Sequence, residues 1–198
     1  MIMIPFKCLH LFMKNLKKQT GKTCTAKVFV LVIIGLMLSA TLRAQEDKSK
    51  RPSPPATATG KIGEATITID YSSPSVKGRK IFGGLLPYGK LWRAGANEAT
   101  LFQTDKAIKV AGKTLPAGKY SFFATPGEKK WTVFFNSETG QWGDKKGGAA
   151  NMDSTKIVLS FDVKVKKLKA LSEKLKYAVG DKGFDLRWEY TDIFIEVK

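Results

Sequence analysis

Arg79, Arg93, Asn97 and Glu98 all fall in YSSPSVKGRKIFGGLLPYGKLWRAGANEAT, a stretch where turn residues, aromatics and charges mix without a clean period. Such a stretch is either a packed crossover or a binding loop. A guanidinium presents a planar donor fork and a carboxylate accepts from hydroxyls, so Arg93 and Glu98 have the chemistry of ligand contacts. The same two groups could instead pair with each other and pin the loop to a sheet edge. Trp142 stands in the turn-rich run NSETGQWGDKKGG and is the candidate for an exposed ring, whose face can cover the apolar face of a sugar. Arg79, Arg93, Asn97, Glu98 and Trp142 are therefore the ligand-binding candidates, with a glycan, a peptide or an envelope component as the partner. Tyr88 and Trp92 read as packing residues or as stacking platforms. Glu98 would also serve a glycoside hydrolase if a second acid, such as Asp70, Glu128 or Asp144, lay within about 10 Å of it.

Other chemistries lack their residues. The one histidine, His10, and both cysteines, Cys8 and Cys24, lie upstream of the apolar run VFVLVIIGLML at Val28 to Leu38. If that run is the core of a cleaved leader, the mature chain has neither imidazole nor thiol. Ser-His-Asp triads, cysteine nucleophiles and His/Cys metal sites then fall away. GGLLPYGK has the wrong spacing for a phosphate loop. DKKGGAANMD sets its oxygens too far apart for an EF-hand loop. No catalytic residue, metal or cofactor is assigned.

The leader itself has three parts. Lys14, Lys17, Lys18, Lys22 and Lys27 precede the apolar run, and the less apolar SATLRAQ follows it, the layout of a secretory signal peptide. A spanning helix needs about 20 apolar residues, and this run stops short. Cleavage is expected after Ala44, so residues 1–44 would be leader. Met1 to Phe12 fits no part of one, and translation from Met13 is the alternative. Neither cysteine sits where a lipoprotein would carry its lipid. The expected location is periplasmic or secreted, with no membrane span left after cleavage and no disulfide.

Removing the seven basic residues of that leader from the chain's 34 leaves 27 Lys+Arg against 17 Asp+Glu, a balance of +10 rather than +17. The excess is scattered lysine, without the grouped arginines and aromatics of a nucleic-acid surface. Attraction to an anionic envelope is one use for it. A soluble lysine-rich face is the other.

The elements that must position these side chains are strands. QEDKSKRPSPPATAT is polar and proline-rich, and residues 45–60 read as a disordered spacer. From Lys61 the period is two. ATITIDY alternates Ile67, Ile69 and Tyr71 with threonines and Asp70, and the pattern recurs in ATLFQT, AIKV, KYSFFAT, WTVFFN, KIVLSFDVKV, FDLRWEY and IFIEV. Ala111-Gly112 is placed at a hairpin turn. Trp131 and Trp188 lie on apolar strand faces and are expected in the core. FDLRWEY sets Tyr190 on the same face as Phe184, Leu186 and Trp188. Leu168, Leu171 and Leu175, at spacings of three and four, predict a short amphipathic helix in KKLKALSEKL. The fold class is all-β, an antiparallel sandwich or jelly-roll-like barrel of about nine strands over residues 61–198.

Three blocks, in order, carry a resemblance: YSSPSVKGRKIFGGLLPYGKLWRAGANEAT, then LPAGKYSFFATPG, then WTVFFN followed by QWG. They resemble the domain-of-unknown-function family numbered 2911, from about Lys61 to the C-terminus. That resemblance implies an exported bacterial β-domain and transfers no mechanism. DKKGGAANMDSTK departs from the family's look, being richer in glycine and alanine than the aromatic and acidic stretch expected there. The functional expectation is a non-catalytic ligand-binding or envelope-associated domain, with a carboxylate-dependent hydrolase or a purely structural domain as alternatives.

Overall fold

The structure is a computed structural model, and it describes residues 47–198. The expected leader and its cleavage point lie outside the described residues. Nine strands are present among the described residues: β1 Pro55–Ile62, β2 Ala65–Ser72, β3 Thr100–Thr104, β4 Ile108–Val110, β5 Lys113–Leu115, β6 Gly118–Thr125, β7 Lys130–Asn136, β8 Ile157–Gly180 and β9 Gly183–Glu196. Seven form one antiparallel sheet in the order β1-β2-β3-β6-β7-β8-β9, and β4-β5 is a separate hairpin turning at Ala111 and Gly112. Each strand of the large sheet neighbours the next of that sheet in the chain, so the all-β expectation takes the form of a meander.

The meander rolls toward a barrel because β8 is shared. Its first part, Ile157 to Lys164, pairs with β7, and its remainder, from Val165 to Gly180, pairs with β9. The far end of β8 then returns beside β1, where a Cβ built on Gly60 would lie 2.8 Å from the Val179 side chain. Period-two burial lines the interior. Ile67, Ile69, Phe102, Phe122, Phe135 and Phe184 are at most 1 % exposed, and each such side chain contributes about 1.5–3 kcal/mol on leaving water. A second aromatic group holds Phe82, Trp92, Trp131 and Trp188. Phe82 and Trp131 have ring centres 4.9 Å apart, and Trp92 stacks on Trp188 at 5.9 Å.

Three expectations are corrected. The helix over KKLKALSEKL is strand, because the 173–175 backbone finds partners across the barrel instead of along itself: Val76 N donates to Glu173 O at 2.8 Å and Leu175 N to Pro74 O at 2.9 Å. Of the three leucines only Leu175 is buried, and Leu171 is 47 % exposed. The spacer is not free up to residue 60, since β1 begins at Pro55 and pairs along its length with β2, from Pro55 opposite Ser72 to Ile62 opposite Ala65. Its alanines and threonines carry too little apolar contrast for the period to announce it. Tyr190 does not share the buried face of Phe184, Leu186 and Trp188; it is 50 % exposed. Glu189 interrupts the alternation with a φ of 55°, a left-handed conformation that β-strand residues other than glycine avoid.

Candidate functional site

The loop between β2 and β3 is locked from several sides. Trp92 exchanges backbone hydrogen bonds with Ala124, its indole N–H donates to Gly95 O at 2.9 Å, and Ala94 O accepts from the hydroxyls of Thr100 and Tyr177. This over-determination holds Ala94 and Asn97 at φ values of 53° and 59°. Asn97 Nδ2 donates to Ser53 O at 2.9 Å and to Ser72 Oγ at 3.1 Å, while its carbonyl accepts from Gly143 N at 3.0 Å.

Arg93, Asn97, Glu98 and Trp142 converge on this loop, and Glu98 and Trp142 form a β-bridge. Their charges are spoken for. Arg93 Nη1 donates to Asp144 Oδ2, not to Glu98. Glu98 instead accepts from Lys48 Nζ at 2.8 Å and from Arg51 Nη1 at 3.1 and 3.0 Å. The Arg51 guanidinium also lies 5.8 Å from the Trp142 ring centre, within cation–π range. Trp142, 50 % exposed as the sequence reading allowed, thus covers an ion pair. Gly143 is required here, because a Cβ at that position would lie 1.9 Å from Arg93 Cδ and 2.8 Å from Asn97 O. Partial burial raises the affinity of Glu98 for its proton. The hydrogen bonds from Lys48, its own backbone and Arg51, together with the Lys48 charge, outweigh that and bring it down to about 2. A carboxyl at that value has no proton to give near neutral pH, so Glu98 is unsuited to general-acid work.

Arg79 stays apart from this group. Its guanidinium donates to Val76 O at 3.0 Å and Ser75 O at 2.7 Å, closing its own turn. Asp70 accepts from Thr57 and Gln103 on the sheet.

A second site contains Glu128. A pocket of about 390 Å³ has Phe82 and Trp131 as buried walls, Tyr88 and Tyr190 as exposed ones, and Glu128 and Lys167 among its polar groups. Its construction is specific. Gly89 N donates to Pro126 O at 2.8 Å, tying the LPYGK turn to the turn that carries Gly127 and Glu128. Gly83, at a φ of 76°, leaves room for the Tyr88 ring, which a Cβ there would meet at 2.7 Å. The Glu189 carboxylate accepts from the backbone N–H groups of Ile81 and Phe82 at 3.1 and 3.4 Å, holding the Phe82 wall. Beside it, β8 advances five residues from Lys167 to Ser172 while β9 retreats two from Thr191 to Glu189. The surplus is a pronounced bulge that re-aims the Lys167–Leu168 and Tyr190–Thr191 segments toward the pocket. Burial, and then the charges of Glu128 and Glu189, push the Tyr88 hydroxyl above its ordinary value.

Sequence reasoning missed this pocket because four separated segments build it, and it missed Lys48 and Arg51 because they fell in the expected spacer. The weak local signal for the pocket was the mixed aromatic character of IFGGLLPYGK.

Fold and sites together define an antiparallel β-meander rolled toward a barrel, with a closed polar cluster and an open aromatic pocket. The family model for a protein of unknown function, DUF2911, matches residues 53–197, and the chain belongs to that family. No curated protein and no solved structure matches it.

Proposed function

We propose that this chain is an exported, non-catalytic binding domain whose ligand enters the Phe82–Tyr88–Trp131–Tyr190 pocket. The observation that carries the reading is the pairing of two exposed tyrosines with two buried rings around one concavity of ligand size. Tyr88 and Tyr190 offer exposed faces to an apolar or ring-shaped group over a floor of buried Phe82 and Trp131, and the rim offers a carboxylate and an ammonium. The polar cluster around Glu98 supports the loop, since its cations and carboxylates are already paired with one another. Export rests on the apolar run and its basic flank.

The test is a melting-temperature screen against glycans, amino acids and short peptides, run in parallel on wild type and Tyr190→Ser. A compound that stabilises the wild type and not the variant supports the reading. A screen in which no compound separates the two proteins overturns it and leaves an interaction or structural domain. N-terminal sequencing of the exported protein tests the leader, with Gln45 or a near neighbour as the expected first residue.

A further inference from the structure

The charges of the polar cluster and those of the pocket differ in one respect. Arg51, Arg93, Glu98 and Asp144 all have opposite-charge partners. Glu128 and Lys167 line the same pocket with opposite charges, and neither side chain has a hydrogen bond or an ion pair with any described residue. They stand apart on two elements, Glu128 in the turn before β7 and Lys167 in the bulged part of β8. The aromatic walls line the same pocket. A ligand that filled this space with an apolar group and carried one ammonium and one carboxylate would meet a complementary partner at each end.

We infer that the pocket binds a zwitterion with an apolar side chain, a free-ended short peptide or an amino acid. Glu128 receives its α-ammonium, Lys167 its α-carboxylate, and the exposed Tyr88 and Tyr190 rings, backed by buried Phe82 and Trp131, its side chain. Rings accept an aromatic side chain edge-to-face or offset, which gives preference over small aliphatic ones. Both charges sit at a solvent-exposed rim, so each pairing adds modest affinity that salt screens. Orientation is the larger gain, because a reversed peptide would set like charges against each other.

This inference rests on the pocket reading above, and the experiment separates the two. The probes are the dipeptide Phe-Ala, its N-acetylated form, its C-terminal amide and free phenylalanine, titrated calorimetrically at low and moderate salt. The full chain and its Glu128→Gln and Lys167→Met variants are the receptors. Phe-Ala is expected to bind the wild type, and each blocked form to bind about fivefold more weakly. Glu128→Gln should weaken Phe-Ala and leave the acetylated form unchanged, with Lys167→Met doing the same for the amide. Free phenylalanine binding as tightly as Phe-Ala assigns an amino acid, and weaker binding assigns a peptide; either supports the inference. Equal binding of blocked and free forms overturns the zwitterion while the pocket stands. The same holds if only a neutral glycan separates wild type from Tyr190→Ser. Failure of every compound overturns both readings.

Discussion

The loop around Glu98 and the pocket around Tyr190 are built from the same kinds of residue, tryptophans, tyrosines, glycines and unlike charges, yet they are opposite in state. In the first, each guanidinium and carboxylate has a partner, the tryptophan ring covers a guanidinium, and glycine gives way to an arginine stem. In the second, glycine gives way to a tyrosine ring that stays 40 % exposed, and the two rim charges have no hydrogen-bond or ion-pair partner among the described residues. What separates a supporting network from a receptive one is therefore not residue type but whether the polar groups are already satisfied by the chain itself.

That contrast can be broken by mutation. The largest effect is expected at Gly143→Val, where the added atoms collide with Arg93 Cδ and Asn97 O. Overpacking of this kind should cost about 3 kcal/mol in a denaturant melt, with no change in ligand affinity for the protein that remains folded. A wild-type melt would remove the close approach from the description. Next is Asp144→Ala, which strips Arg93 of its carboxylate when its Nε is already buried without a partner. A loss of about 2 kcal/mol is expected, and a neutral result would place Asp144 among ordinary surface acids.

Glu98→Gln comes third, at about 1 kcal/mol or less near neutral pH, because the carboxylate is partly exposed and solvent screens its pairs. Its signature is the pH dependence. A carboxyl whose proton affinity falls on folding, from an ordinary 4.5 to about 2, adds stability above pH 4.5. That contribution fades as pH falls from 4.5 toward 2. Melting temperatures of wild type and variant should therefore converge across that window, and a constant gap would show that the ion pairs are not its source. Smallest in stability is Tyr190→Ser, at about 0.5 kcal/mol or less, since the ring is half exposed. A large destabilisation would make Tyr190 a packing residue and turn the pocket into a second supporting network.

Much of the fold was legible because strand burial repeats every two residues. ATITIDY, ATLFQT, WTVFFN and KIVLSFDVKV all appear as the pattern implied. The pattern failed where backbone partners lay far away in the chain. Leu168, Leu171 and Leu175 have helical spacing, but Pro74 and Val76 supply the bonds that make their segment a strand. The convergence of Arg93, Asn97, Glu98 and Trp142 followed from the mixed loop that holds the first three and the turn that holds the last. The partners did not. Arg93 and Glu98 each look like the other's mate in sequence, and each is taken by a residue about 50 positions away. The pocket was out of reach for a further reason: Tyr190 faces it only because Glu189 reverses the local backbone, and no period encodes such a reversal.

Glu189 answers two requirements that no single side chain meets without cost. Its backbone takes the left-handed turn that glycine makes freely, and its carboxylate holds two amides that glycine would leave bare. Replacement by glycine relaxes the main chain and releases the Phe82 wall, glutamine keeps the strain and weakens the grip, and a β-branched residue fails on both counts. The position is consequently one of narrow tolerance, and saturation mutagenesis scored for folding should leave very few substitutes there while the exposed lysines of β8 accept many.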